Sequence, residues 1–211
     1  MSTAAAQIAK SQAKVIAEKP TYTFLEYLRK EEKSLQKHEY YNGNILLMAG
    51  AKARHNQIAV NVTSAIKYAV RPLPKQYIVY NSDQKIYIEP ENKGVYPDAL
   101  VICEEPEFWE GREDVIVNPL LIVEVLSRST AQYDRMGKFM LYEKLPSFKE
   151  YILVEQTRPE VESWFRIAPQ TWNKNIETNL TESIQLRSLN VSLPLAEIYE
   201  YVQFSLSNKL R

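Results

Sequence analysis

Apolar positions along this chain follow two rhythms, one near 3.6 residues and one near two. Ile58, Val62, Ala65, Ile66 and Ala69 stand at i, i+4, i+7, i+8 and i+11, the spacing of one helical face packed on a core. Pro72 and Pro74 end that helix, because proline lacks the amide a continuing turn needs. Upstream, Phe24, Leu25, Tyr27 and Leu28 make an apolar stripe behind Thr23, which predicts a short helix through Glu32 with Thr23 as its N-cap. Between these helices, Asn42-Gly43 can take the positive φ angles of a tight turn, so Glu39 to Met48 reads as a hairpin. Residues 1–20 read as a frayed or poorly anchored N-terminal extension closed by Pro20.

The second rhythm takes over after Pro74. Tyr77–Tyr80 and Lys85–Glu89 read as strands, the latter with Ile86 and Ile88 alternating against Lys85, Tyr87 and Glu89. Asp98–Cys103 and Leu120–Leu126 are almost wholly apolar, as expected of central strands covered on both faces. The stretch from Glu104 to Pro119 is acidic and loop-like. Ser129 or Thr130 can cap a helix running to about Leu145, and Glu150–Glu155 follows as another buried strand. Val161–Ile167 and the segments around Trp172, Ile184 and Val191 predict an antiparallel extension, with a short helix over Leu195–Tyr201. This order of elements makes a mixed α/β domain.

Two carboxylates break the apolar pattern. Asp98 opens one central strand and Glu124 interrupts the other. A lone charge in a buried strand costs several kcal/mol unless it is paired or bound to a metal, and neither strand carries a basic residue. Two acids level on adjacent strands would repel, and a divalent cation relieves that; hard oxygen ligands suit Mg²⁺ or Mn²⁺. Taken singly, each acid could instead sit at a strand end, hydrogen-bonded to loop amides or solvent. Basic residues follow at once: Arg128, Arg135, Lys138 and Lys144. Asp134 and Lys138 are i, i+4 neighbours, so a helix packing back over the sheet could carry an ammonium group towards the acids. On spacing alone, a surface Lys138 paired with Asp134 fits as well.

Composition narrows the alternatives. The 26 basic and 26 acidic residues cancel, so any nucleic-acid contact must come from a local patch and not a general basic coat. Cys103 is the single cysteine; it excludes an intrachain disulfide and reads as a buried, inert thiol in an apolar run. The first twenty residues contain no continuous apolar core of signal-peptide length, and no window approaches a membrane span, so a cytoplasmic protein is expected.

The ordered series Pro97-Asp98, Pro119-Leu-Leu-Ile-Val-Glu124-Val-Leu-Ser127-x-Ser-Thr130, Asp134-x-x-x-Lys138-x-x-x-Tyr142 and Glu150-Tyr-Ile-Leu-Val154 resembles the Uma-type restriction endonuclease family of the PD-(D/E)XK nuclease superfamily. Glu39-x-x-x-Gly43-x-Ile45 before Met48, and His55 opening a helix, fit as well, so the resemblance covers roughly residues 20–200. It implies an α/β (α+β) restriction-endonuclease-like core, a mixed central sheet flanked by helices with an antiparallel extension, as one nuclease-like domain over residues 21–205. It also implies Asp98 and Glu124 as metal ligands. The superfamily's usual Lys lies two residues after the Glu, where this chain has Leu126; the family places it on the following helix, which points to Lys138, with Lys144 as the fallback. Arg128 stands where family members usually carry proline, a change expected to affect only the loop.

His55 and Glu39 match family positions near the site. His55, at a helix start beside Lys52 and Arg54, could contact phosphate or position water, or could simply cap the helix. Glu39 could extend the acidic cluster as a third ligand through water, or be an ordinary surface acid. The reading that follows is an Mg²⁺- or Mn²⁺-dependent endonuclease acting on DNA, with Lys52, Arg54, Arg128 and Arg135 as phosphate contacts. Two rivals remain open: a catalytically silent nuclease-fold protein that binds DNA or assembles, and a hydrolase of some other phosphate ester. The 14 tyrosines and the Phe108-Trp109 pair offer amphipathic contact area for a homodimer.

Overall fold

A computed structural model describes residues 22–128 and 130–204. The sequence readings for residues 1–20, and for Ser129 as a cap, fall outside the described residues. The chain divides into two compact units meeting between Met48 and Ala49.

The first unit pairs a helix with a hairpin. Helix α1 (Phe24–Glu31) begins at Thr23, whose hydroxyl accepts from the Glu26 amide while the Glu26 carboxylate accepts from the Thr23 amide. Phe24, Tyr27 and Leu28 of the predicted stripe are buried, while Leu25 is exposed on the other side of the helix. Strands β1 (His38–Tyr41) and β2 (Asn44–Leu47) pair antiparallel around Asn42 (φ 47°) and Gly43 (φ 90°), the turn read from the sequence. Thr23→Ala removes one of the two reciprocal capping bonds and is expected to cost about 1 kcal/mol, read as a lower urea midpoint.

The second unit opens with α2 (Ala53–Val70), which buries Ile58, Val62, Ala65 and Ile66 as read from their spacing; Ala69 is only partly buried and Val70 takes the last place on that face. Then come β3 (Tyr77–Asn81), β4 (Lys85–Ile88), β5 (Lys93–Val95), β6 (Ala99–Cys103), β7 (Val115–Ile116) and β8 (Leu121–Leu126). A helix over 131–142 leads to β9 (Glu150–Glu155), β10 (Val161–Ala168), β11 (Thr171–Glu177), β12 (Ser183–Leu186), β13 (Val191–Pro194) and the short helix α3 (Leu195–Ile198). Six strands form one mixed sheet in the order β11-β10-β9-β8-β6-β3. Within this sheet, among the described residues, only β8 and β9 are parallel neighbours, and the helix over 131–142 is their crossover. Alternate residues of the central strands, among them Val101, Val123 and Val154, form one core with α2. On the opposite face Tyr142, Phe148 and Tyr151 pack ring against ring.

Three expectations need correction. Strand β4 does not alternate: Lys85 and Tyr87 are buried along with Ile86 and Ile88, the Lys85 ammonium lying 5.5 Å from the Tyr96 ring and the Tyr87 ring 5.5 Å from that of Trp109. The Lys85 ammonium meets Asp114 at 3.4 Å and the Tyr87 hydroxyl donates to Asn92, so both polar ends are satisfied. The stretch 104–119 is not all loop, since β7 pairs parallel to β4. The helix after β8 ends at Tyr142, not near Leu145, and is π-wound over Tyr133–Lys138 before returning to α geometry over Phe139–Tyr142.

Candidate active site

The register of β6 against β8 sets Ala99 opposite Val123, so one residue further along Asp98 stands level with Glu124. The two acids meet very different surroundings. Asp98 accepts a 2.7 Å hydrogen bond from the Val125 amide and lies 3.3 Å from Nε2 of His55, which projects from the first turn of α2. Glu124 is 3% exposed and has no amide partner among the described residues. Its Oε1 instead accepts from Nζ of Lys138 at 2.9 Å and from the Tyr142 hydroxyl at 2.8 Å. Glu150 gives the contrast: equally buried, it accepts from the Arg187 and Ser188 amides and from two serine hydroxyls, and so needs no cation.

Lys138 is 8% exposed, and its ammonium also lies 3.6 Å from Asp134, itself 3% exposed. The surface pair that spacing alone allowed is therefore a buried one. Three residues at i, i+4 and i+8 line the site from one helix. In an ordinary α-helix each four-residue step drifts by about 40°. The π-wound turn holds more residues per turn and takes up much of that drift, aligning Asp134, Lys138 and Tyr142 with Glu124. Gly137 makes room for the winding: the Tyr133 ring lies so close that a Cβ there would collide with it. The Tyr151 hydroxyl, donating to the Asp134 carbonyl at 3.0 Å, ties this turn to β9.

Burial dominates the electrostatics of the cluster. Burial pushes the Glu124 carboxyl up to about 8; the Lys138 ammonium opposes the shift, while Asp98 and Asp134 add to it. Burial likewise raises Asp134. His55 is raised because its bond to Asp98 and that charge outweigh burial, although burial is the largest single influence. Its buried Nδ1 has no hydrogen-bond partner.

A divalent ion suits this donor set. Among the described residues no three or more His, Cys, Asp and Glu side chains form a ready cage. Mg²⁺, however, keeps several waters and takes only one or two carboxylates. Asp98 and Glu124 are two carboxylates level across adjacent strands; Lys138 and Tyr142 both donate to Oε1 of Glu124, and no hydrogen bond to its Oε2 is found among the described residues.

The remaining sequence candidates scatter. Lys52, exposed, and Arg54, half-buried, stand at the start of α2 beside His55, and exposed Arg128 follows β8. Arg135 is bound at 2.6 Å to Glu162 and at 3.6 Å to Glu160, so its guanidinium is already paired. Lys144 is exposed beyond the helix end. Glu39 lies on β1 in the first unit, where it accepts from the Tyr41 hydroxyl. Cys103 is half-buried and not fully buried, because its strand ends there. Asp134 and Tyr142 were missed as site residues, although their four-residue steps from Lys138 were readable.

A family model described as Uma2, putative restriction endonuclease, matches residues 24–196. The chain belongs to the Uma2 family. Among proteins similar to this Uma2 chain is uncharacterized protein sll1609 of Synechocystis sp., 35% identical over 158 residues, or 75% of this chain and 88% of the relative. Uncharacterized protein slr1290 of the same organism is 32% identical over 179 residues, covering 85% and 92%. The fold is similar to a crystal structure of a putative nuclease belonging to DUF820 from Anabaena variabilis, with a TM-score of 0.66 and 16% identity over 86% of this chain and 99% of that one. The Uma2 chain thus has a restriction-endonuclease-like α+β fold. Among the described residues no helix is long and apolar enough to cross a membrane.

Proposed function

We propose that the chain is an endonuclease that hydrolyses DNA phosphodiester bonds with Mg²⁺ or Mn²⁺ held by Asp98 and Glu124. The observation that carries this is the buried ammonium of Lys138, 2.9 Å from Glu124, on the helix that crosses from β8 to β9. When bound, the ion supplies the positive charge that polarises a phosphoryl oxygen and an attacking water. Lys138 fixes Oε1 of Glu124 and holds a cation where negative charge grows on the non-bridging oxygens. His55 orients Asp98 and can keep a proton close to the reacting centre. Lys52, Arg54 and Arg128 would seat the flanking phosphates; Arg135 would reach one only by leaving Glu162. A homodimer is part of this proposal, and the exposed Tyr133, Met136 and Met140 along one helix favour it.

Plasmid DNA incubated with the protein should be nicked with Mg²⁺ or Mn²⁺ present and left intact with chelator, while Asp98→Ala should fail under both conditions. Equal nicking by the two proteins would rule the site out. One feature favours the silent alternative: Lys138 neutralises Glu124 directly, so the cluster can persist with no ion at all. Calorimetric titration with Mn²⁺ separates them, since a silent site gives no heat that Glu124→Gln removes.

A further inference from the structure

The far end of α2 makes a second feature. Between its last turns and β3 lies a groove of about 860 Å³ with Lys67, Arg71 and Lys75 in its lining and no acid there. Glu104, just outside the lining, pairs with Lys75 at 3.7 Å, and both side chains are largely exposed. Such a pair contributes little and yields readily to a competing anion. Tyr68, 72% exposed, and Tyr77 add hydroxyl and ring surface.

The sheet adds two donors. Strand β3 is the edge of the six-stranded sheet, and the Glu104 amide donates to the Gln76 carbonyl. In an antiparallel pair the bonded residues alternate, so Ile78 opposite Ile102 faces inward and Tyr77 and Val79 turn their amides away from β6. Neither amide has a partner among the described residues.

We propose that this groove is a track for the sugar–phosphate backbone of nucleic acid, remote from the candidate active site. This rests on the endonuclease reading and extends it to the length of substrate engaged. Three cations, two edge amides and tyrosine hydroxyls are the donor types that hold phosphates. A second copy of the chain, pairing β3 with β3, would bring six of these cations together, so charge favours the polyanion. His55 and Arg71 are the two ends of the path along α2, about 24 Å at 1.5 Å per residue. At 3.4 Å per nucleotide that is about seven base pairs. Only a duplex reaching that far beyond the scissile bond gains from the groove.

The test is fluorescence anisotropy in chelator, so that binding is read without cleavage, on a 30-bp duplex and a 5-bp hairpin. The protein is compared with the triple variant Lys67→Gln, Arg71→Gln, Lys75→Gln. For the long duplex the variant should lose about tenfold or more in affinity, and its slope of log affinity against log salt should fall by roughly 2 to 3. The hairpin should bind both proteins alike, and melting temperatures should match because the three side chains are exposed. An unchanged slope, or an equal loss with the hairpin, overturns the groove and leaves the endonuclease reading standing. If the unmodified protein binds neither substrate, both readings fall. A dimer in sedimentation that the substitutions dissolve assigns the edge to a second copy and overturns the proposal.

Discussion

Lys138→Met should slow metal-dependent nicking by about 10²–10³-fold, the loss seen when one fixed donor to a developing oxyanion is removed. The effect is large because of where the ammonium sits. It is almost wholly buried, 2.9 Å from Glu124 and 3.6 Å from Asp134, so solvent does little to screen it. Methionine keeps much of the side-chain volume and removes only the charge and its hydrogen bonds. The fold should survive, because a carboxyl that loses its cation can take up a proton rather than stay charged in the interior. Glu124, already pushed up to about 8, is placed to do so. Lys138→Arg should not restore the rate, since a planar guanidinium cannot replace a compact ammonium in a space closed by Tyr142 and Asp134. Lys144→Met is the control and should leave nicking unchanged, because Lys144 is exposed. A Lys138→Met protein that nicks at the normal rate would remove this lysine from the chemistry.

The parts of this structure that the sequence made legible are those that repeat. The face of α2 could be read because five apolar positions keep a helical step, and β6 and β8 because a run of apolar residues leaves few other solutions. Asp98 and Glu124 stood out for the same reason, being polar where the run is apolar. What periodicity could not show is which strands become neighbours. Lys85 reads as the polar half of an alternating strand, yet the Tyr96 ring packs near its ammonium and Asp114 meets its charge. Asp134 reads as an ordinary helical partner of Lys138 until the crossover sets both against the sheet. The π-wound turn left no clear mark either, beyond Gly137 four residues after Tyr133, and it is this turn that brings Asp134, Lys138 and Tyr142 into line. Family resemblance pointed to Lys138; only the three-dimensional contacts show Tyr142 sharing the same carboxylate oxygen.

In chelator, Glu124→Gln should be far less sensitive to alkali than the unmodified protein. Burial pushes the Glu124 carboxyl from its ordinary 4.5 up to about 8, so the folded state keeps a proton that the unfolded chain has already released. The stability that proton provides is complete below about pH 4.5 and is lost as pH rises towards about 8. A tenfold difference in proton affinity between the two states is worth about 1.36 kcal/mol, so a shift of this size loses several kcal/mol across that range. Glutamine carries no such proton, and its amide oxygen can still accept from Lys138 and Tyr142. Burial also raises Asp134, and subtracting the two melting curves removes whatever part of its contribution they share. The two curves should therefore separate between pH 5 and 8, with the variant ahead at the alkaline end. Saturating Mn²⁺ at pH 8 should then raise the melting temperature of the unmodified protein and leave the variant where it was, because an ion that takes the proton's place stabilises only the chain with a carboxylate to hold it. Parallel pH curves would mean that Glu124 is ionised throughout and that Lys138 alone balances it. An equal response to Mn²⁺ in both proteins would move the ion to other ligands.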